Sequence, residues 1–219
     1  MESEQINSMN NKQRILILAP HTDDGELGCG ATIAKLLEQE REVHYVAFSI
    51  CEESVPEGFP EDALQFECQD ATQTLGIDPD YLTILKYPVR KFTEHRQEIL
   101  EDLVQMRKEL EPDLVFLPSS FDVHQDHATI YQEGIRAFRR SSILGYEFMW
   151  NNFTFSSTMF SVVEERHIRA KIEALDHYKT QDRRFYMKEK LVTGQANFRG
   201  LQIYREYAEA FEVIRWIME

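Results

Sequence analysis

Cysteine is scarce in this 219-residue chain: only Cys29, Cys51 and Cys68 are present. They are too few and too scattered for a disulfide framework or a thiolate zinc site. The apolar neighbours of Cys29 and Cys51 mark them as small buried residues. Long hydrophobic runs are missing as well, which excludes an integral membrane segment. The polar stretch 1–11 lacks the apolar core of a signal peptide and reads as a disordered tail, which places the protein in the cytoplasm. Positive charge is in deficit. Lys and Arg total 24 against 38 Asp and Glu, a net −14, so nucleic acid is excluded as a partner. Basic residues gather only locally, at Arg136, Arg139, Arg140 and at Lys179, Arg183, Arg184. These are solvated helix faces, one of which is available to a phosphate or carboxylate on a small substrate.

Glycine is sparse too, yet Gly25, Gly28 and Gly30 fall close together. They do not make a dinucleotide loop. G-x-G-x-x-G begun at Gly28 needs glycine at position 33, which is Ile33, and no acidic residue ends the following apolar run at Ile50, although Glu52 comes soon after. No nucleotide cofactor is expected, and the glycines let a helix pack close to a sheet.

What the chain does have is alternation of short apolar runs with amphipathic stretches. Residues 14–19 and 43–50 read as strands buried on both faces. Leu27, Ile33, Ala34 and Leu37 between them keep helical spacing. A second helix covers 63–75 and stops at Gly76, a short strand covers 81–85, and a long helix covers 94–110. Pro112 ends that helix, 114–117 is the next strand, and 126–139 is helical. The pattern predicts an α/β fold: a Rossmann-like, doubly wound, mostly parallel sheet with helices on both faces. The last third is less regular. Residues 145–150 and 154–160 suggest an edge hairpin, 164–179 a helix, 190–200 a loop, and 208–217 a closing helix or strand-like cap. With no repeat or linker, 12–219 reads as one domain.

The chemistry sits after two of the apolar runs. Pro20-His21-Thr22-Asp23-Asp24 follows the first strand, and Leu117-Pro118 leads through a polar loop to His124-Gln125-Asp126-His127. Residues beyond the carboxyl ends of parallel strands line the ligand crevice, so the two clusters can face one another. His21 and Asp24 are three apart across a strand-to-helix turn and project to one side if the turn coils. His124 and His127 share that spacing, and either completes a two-histidine, one-carboxylate set for a mononuclear metal. Asp23 then stands beside the bound water as general base. The histidine left over protonates a leaving group or stabilises an oxyanion, with Asp126 fixing its tautomer. Taken singly, Asp23, Asp24 or Asp126 is explained by helix capping. Five or six ligand-type side chains at two strand ends have few structural uses. His44 in a strand and His95, His167 and His177 on amphipathic helices read as structural.

These residues resemble the PIG-L or LmbE-like family of zinc-dependent N-acetyl-sugar deacetylases. The first family motif, P-H-P-D-D-E followed by L-G-C-G-G-T, is similar to the run from Pro20 to Ile33. The second, H-P-D-H, corresponds to His124–His127, and Tyr207-Ala208-Glu209-Ala210-Phe211 resembles a further family feature. The resemblance implies His21, Asp24 and His127 as metal ligands, Asp23 as general base, His124 as the charge-stabilising or acid residue and Asp126 as its orienting partner. It implies Zn2+, with Fe2+ or Co2+ as other occupants, an N-acetylated amino-sugar of GlcNAc type as substrate, and a homo-oligomer. Two departures stand out: Gly25 takes the usual place of glutamate, which moves to Glu26, and Gln125 replaces proline. Tyr204 or Tyr207 is a candidate oxyanion donor, with packing as the competing role. Segments 51–60, 87–92 and 185–199 are expected to shape the substrate pocket. Two other readings remain: a non-catalytic sugar-binding protein on the same scaffold, and a non-haem iron oxygenase, whose ligand pattern is also a histidine, a carboxylate and a distant histidine.

Overall fold

In the computed structural model, residues 13–218 are described. The tail expected at 1–11 lies outside them. Seven strands form one sheet: β1 (Arg14–Ala19), β2 (Glu42–Ala47), β3 (Leu82–Ile84), β4 (Leu114–Pro118), β5 (Ser142–Tyr146), β6 (Met159–Val163) and β7 (Tyr207–Arg215). Their order is β3-β2-β1-β4-β5-β7-β6. The first five run parallel, and β7 pairs antiparallel with both β5 and β6. The sheet is thus mostly parallel, as expected.

Six helices cover its faces: α1 (Asp24–Glu38), α2 (Ala63–Leu75), α3 (Arg96–Leu110), α4 (Gln125–Ala137), α5 (Glu165–Leu175) and α6 (Glu189–Leu201). Side chains alternate across a strand. Ile15 and Ile17 of β1 therefore pack with Leu27 and Ile33 of α1, Leu64 and Leu75 of α2 and Leu175 of α5. Leu16 and Leu18 face Ile99 and Leu103 of α3 and Ile130 of α4 on the other side. Both faces are buried, which is why β1 and β4 read as unbroken apolar runs.

Close helix–sheet packing accounts for two glycines. A Cβ at Gly25 would lie 2.3 Å from the Tyr45 ring, and one at Gly28 would lie 2.5 Å from Tyr146. Gly76 ends α2 in the left-handed conformation at φ +96°, where a side chain would be strained.

The last third departs from expectation. The hairpin expected at 145–150 and 154–160 does not form, because β5 begins at Ser142, β6 begins at Met159 and β7 lies between them. The loop expected at 190–200 is helix α6. Gly194, Asn197 and Gly200 imitate turn signals, but Val192, Ala196, Arg199 and Gly200 are buried at helical spacing. The segment 208–217, left open between helix and strand, falls mostly in β7, which ends at Arg215.

Helix α1 is broken at Cys29 (φ −149°, ψ 23°), and an ion pair fills the break. Lys171 donates to the Leu27 carbonyl at 2.7 Å. Glu209 of β7 accepts from the Ala31 and Thr32 amides at 3.3 and 2.7 Å. The two side chains meet at 2.7 Å, both buried. They replace ladder bonds that the kink removes. Glu209→Ala leaves Lys171 buried and unpaired, so urea unfolding should show a loss of about 3–5 kcal/mol. Combining Glu209→Gln with Lys171→Met should recover only part of it, because no charge is stranded but the Leu27 carbonyl and one of the two amides lose their partners.

Candidate active site

Strand order reverses between β1 and β4, which are neighbours in the sheet although they are distant in the chain. Their carboxyl ends open the crevice where such folds bind ligands. His21, Asp23 and Asp24 follow β1; Asp122, His124, Asp126 and His127 follow β4. A cavity of about 280 Å3 lies between them, lined by His21, Asp23, Asp24, His124 and His127 together with Arg90, Trp150 and Arg184.

Three atoms converge at its floor. Asp24 Oδ2 lies 3.1 Å from His21 Nδ1 and 3.2 Å from His127 Nε2. The two ring nitrogens are 3.3 Å apart. Each imidazole commits its other nitrogen to a carboxylate. His21 Nε2 donates to Asp126 Oδ2 at 3.0 Å, and His127 Nδ1 donates to Asp122 Oδ2 at 2.7 Å. That choice orients the rings, so that their other two nitrogens and a carboxylate oxygen face one another. Such a cluster is stable only around positive charge. Burial opposes charge on His21 and His127, yet Asp24 together with Asp126 at His21 and Asp122 at His127 outweighs it and raises them to about 9 and about 10. Burial works against Asp24 likewise, but His127 and His21 hold its carboxyl well below the usual range.

The donor set fits a divalent metal. Ligands about 2.0–2.1 Å from a tetrahedral ion are about 3.3–3.4 Å apart, close to the observed triangle. An all-imidazole alternative exists, since His21, His124 and His127 offer ring nitrogens within 4.8 Å of one another. The set with Asp24 is tighter and brings a negative charge.

His124 has a different setting. It is the N-cap residue of α4, and its Nδ1 accepts from the Asp126 amide at 3.2 Å. Its Nε2 therefore carries the hydrogen. Burial, reinforced by His127 and His21, lowers its pKa to about 4, so at pH 7 it is a neutral donor. Asp23 stands at the N-cap position of α1 but makes no side-chain capping bond. Burial, then the Asp24 charge, raises it to about 6.

The expected pairing of Asp126 with His124 is not made by side chains. The Asp126 carboxylate is turned to His21 and also accepts from the Arg90 and Phe92 amides at 2.6 and 3.3 Å. Burial opposes its charge, but His21 and these amides lower its pKa. Arg90 adopts the left-handed conformation (φ +67°), uncommon for a non-glycine residue and frequent at functional sites. Asp122 was not singled out from sequence, and its one signal was its place just upstream of His124. It also accepts from the His124 amide at 2.8 Å. Tyr204 is 92% exposed, Tyr207 packs with Ala31 and Val163, and neither lines the cavity. Of the two basic clusters, Arg184 alone lines it. All three segments expected to shape the pocket contribute, through Cys51 and Ser54, Val89 and Arg90, and Tyr186.

Residues 16–138 match the PIG-L family, described as GlcNAc-PI de-N-acetylase. The chain belongs to this family of deacetylases. It is 28% identical over 184 residues to the uncharacterized deacetylase YaiS of Escherichia coli (strain K12), covering 82% of this chain and 98% of YaiS. Its fold is shared by the conserved protein TT1542 from Thermus thermophilus, with a TM-score of 0.79 at 22% identity, covering 94% of this chain and 96% of that one. It is shared also by the N,N'-diacetylchitobiose deacetylase from Pyrococcus horikoshii, with a TM-score of 0.77 at 21% identity, covering 95% and 86%. Among the described residues of this PIG-L member no helix is long and apolar enough to cross a membrane.

Asp122 and Asp126 hold the imidazoles that face Asp24, and outer partners of this kind tune metal affinity. Asp122→Ala should weaken binding of a divalent metal by about 10–100-fold, read by competition with a chromophoric chelator. Unchanged affinity would remove His127 from the binding set.

Proposed function

We propose that residues 12–219 form a metal-dependent hydrolase domain that removes the acetyl group from an N-acetylated amino-sugar, with zinc as the metal and Fe2+ or Co2+ as alternatives. The observation that carries this reading is the convergence of two imidazole nitrogens and the Asp24 oxygen on one point beside Asp23, a carboxylate that makes no helix-capping bond. His21, Asp24 and His127 hold the ion. When bound, it would supply a water whose pKa falls toward about 7 and a Lewis-acid contact for a carbonyl oxygen.

The remaining steps belong to the chain. Asp23 accepts the proton from the attacking water, a role open to it because no helix amide holds its carboxylate. The neutral His124 donates Nε2–H to the carbonyl oxygen as negative charge develops there. Asp126 and Asp122 keep the two ligand imidazoles in register. Asp23 then returns its proton to the departing nitrogen, releasing acetate and a free amine. Trp150 offers an aromatic face to a sugar ring, and Arg90, Asn151, Gln181 and Arg184 offer polar groups for its hydroxyls. Family membership supports the reaction class, and the chitobiose deacetylase sharing the fold supports a sugar substrate. The oxygenase reading finds no support in this parallel sheet.

The test is acetate release from a panel of N-acetylated amino-sugars, free, glycosidic and nucleotide-linked, by metal-loaded protein with a chelated control. Release from at least one, abolished by the chelator, is expected. Asp23→Ala should retain the metal and lose about 10²–10⁴-fold in kcat, whereas full activity in that variant would sink the mechanism. Tight binding of an N-acetyl-sugar without acetate release would point instead to a binding protein.

A further inference from the structure

The basic pair Arg139-Arg140, which has no part in the active site, opens onto a cavity of about 720 Å3 at the opposite edge of the sheet. Its walls include Leu114 and Ser142, the first residues of β4 and β5, and Gln13, which precedes β1. The histidine cavity lies at the carboxyl ends of these same strands. Strands of five or six residues, at about 3.3 Å per residue, put the two cavities about 15–20 Å apart. A ligand held here does not touch the reacting centre.

Four cations line this cavity, Arg107, Lys108, Arg139 and Arg140, in a chain whose net charge is −14. Helix ends account for two of them. Arg107 donates to the Ala137 carbonyl at 3.2 Å, and Lys108, in the last turn of α3, is favoured there by the helix dipole. Arg139 and Arg140 lie beyond the end of α4, where Arg107 and Arg215 already meet the carbonyls, the latter at 2.7 Å from the Phe138 oxygen. Among the described residues, the side chains of Lys108, Arg139 and Arg140 enter no hydrogen bond or ion pair. The two acids of the rim are engaged by Arg14: Asp113 Oδ2 accepts from its amide at 2.7 Å, and Glu111 lies 4.0 Å from its guanidinium.

The frame of the cavity is fixed by two buried serines. Ser141 donates to the Pro112 carbonyl at 2.6 Å, and Ser142 Oγ accepts from the Ile217 amide at 3.1 Å. The second bond holds the C-terminal segment against β5. Trp216, 56% exposed, thereby forms an aromatic wall beside the cations.

We propose that this cavity binds a nucleoside polyphosphate, with its phosphates on Lys108, Arg139 and Arg140 and its base against Trp216. Guanidinium forks match phosphate oxygens, and an indole face stacks on a heterocycle. Inorganic tripolyphosphate meets the same cations and leaves Trp216 uncovered, so it separates the two contributions.

Binding of ATP, inorganic tripolyphosphate and adenosine to metal-loaded protein, dialysed free of excess ion, is measured by calorimetry. ATP should bind saturably, about tenfold more tightly than tripolyphosphate, and adenosine should bind most weakly. The triple variant Lys108→Ala, Arg139→Ser, Arg140→Ser should weaken ATP and tripolyphosphate alike by at least about tenfold. All three side chains are exposed, and Arg140→Glu alone is the second variant should the triple one misfold. Trp216→Ala should remove the advantage of ATP and leave tripolyphosphate unchanged. Arg184→Ala, in the histidine cavity, should alter neither. The inference is overturned by the absence of saturable ATP binding, or by binding that survives both changes at the basic pair. It is overturned also by binding that Arg184→Ala abolishes, since the phosphates would then sit at the metal site. Equal binding of ATP and tripolyphosphate, or an advantage that survives Trp216→Ala, overturns the nucleotide assignment.

Discussion

A buried carboxylate costs free energy unless positive or donating groups meet it, and the site is organised around that requirement at Asp24. Its Oδ2 accepts from the His21 amide at 2.8 Å and faces His21 Nδ1 and His127 Nε2. One imidazole is local. The other arrives from the far side of the sheet's switch point, and only because β1 and β4 are adjacent and parallel with their carboxyl ends at one edge. Sheet order, rather than any property of the connecting loops, turns two separate motifs into one cluster. The outer carboxylates follow from the same need. Asp126 and Asp122 occupy the second nitrogen of each imidazole, so the remaining nitrogens have no direction left but toward Asp24.

The irregular last third supports the site at a distance. Asp24 opens α1, and α1 is broken only five residues later, at Cys29. At that break Lys171 from α5 and Glu209 from β7 satisfy the freed carbonyl and amides. The short helical segment that begins with Asp24 is thereby tied to the two latest layers of the fold. This gives a physical reason for glutamate in the run Tyr207-Ala208-Glu209-Ala210-Phe211: its carboxylate caps a helix that begins inside another helix.

How far the sequence could be read follows from which contacts are local. Strands β1 and β4 were legible because burial on both faces leaves nothing polar in them. The six candidate side chains were legible because histidine and aspartate at strand ends have few other uses. Asp122 was not, since the chain has 38 acidic residues and only the fold shows which one meets His127. Asp126 was assigned to its sequence neighbour His124, whereas its spatial partner is His21, brought there by the switch point and by the left-handed turn at Arg90. Strand β7 was ambiguous for a related reason. Buried from Ala208 to Phe211 and partly exposed after it, it shows no sustained alternation. In α6, turn-forming residues sit on a helix whose buried face is carried by Val192, Ala196 and Arg199.

Two carboxyl groups two residues apart show why residue type alone does not assign a role. Asp24 faces imidazoles, and its pKa is depressed. Glu26 is also buried but meets neutral hydroxyls rather than imidazoles, and burial raises it to about 8. Its partners Tyr45 and Tyr178 also lie on the Thr22 carbonyl, at 3.0 and 2.6 Å, and each touches the Glu26 carboxyl as well. Two hydroxyl hydrogens cannot fill four such contacts. A protonated Glu26 supplies a third hydrogen, which fills three of the four, and removes the buried charge at once, so the neutral form is the one that this pocket favours at pH 7. Glu26 therefore serves as a strut beneath the His21–Asp24 turn, fastening the Thr22 carbonyl through two tyrosines, while Asp24 carries the negative charge above it. Environments that push neighbouring carboxyl groups in opposite directions separate structural from chemical roles. Glu26 does not line the cavity and sits under the turn, on the hydroxyls of Tyr45 and Tyr178.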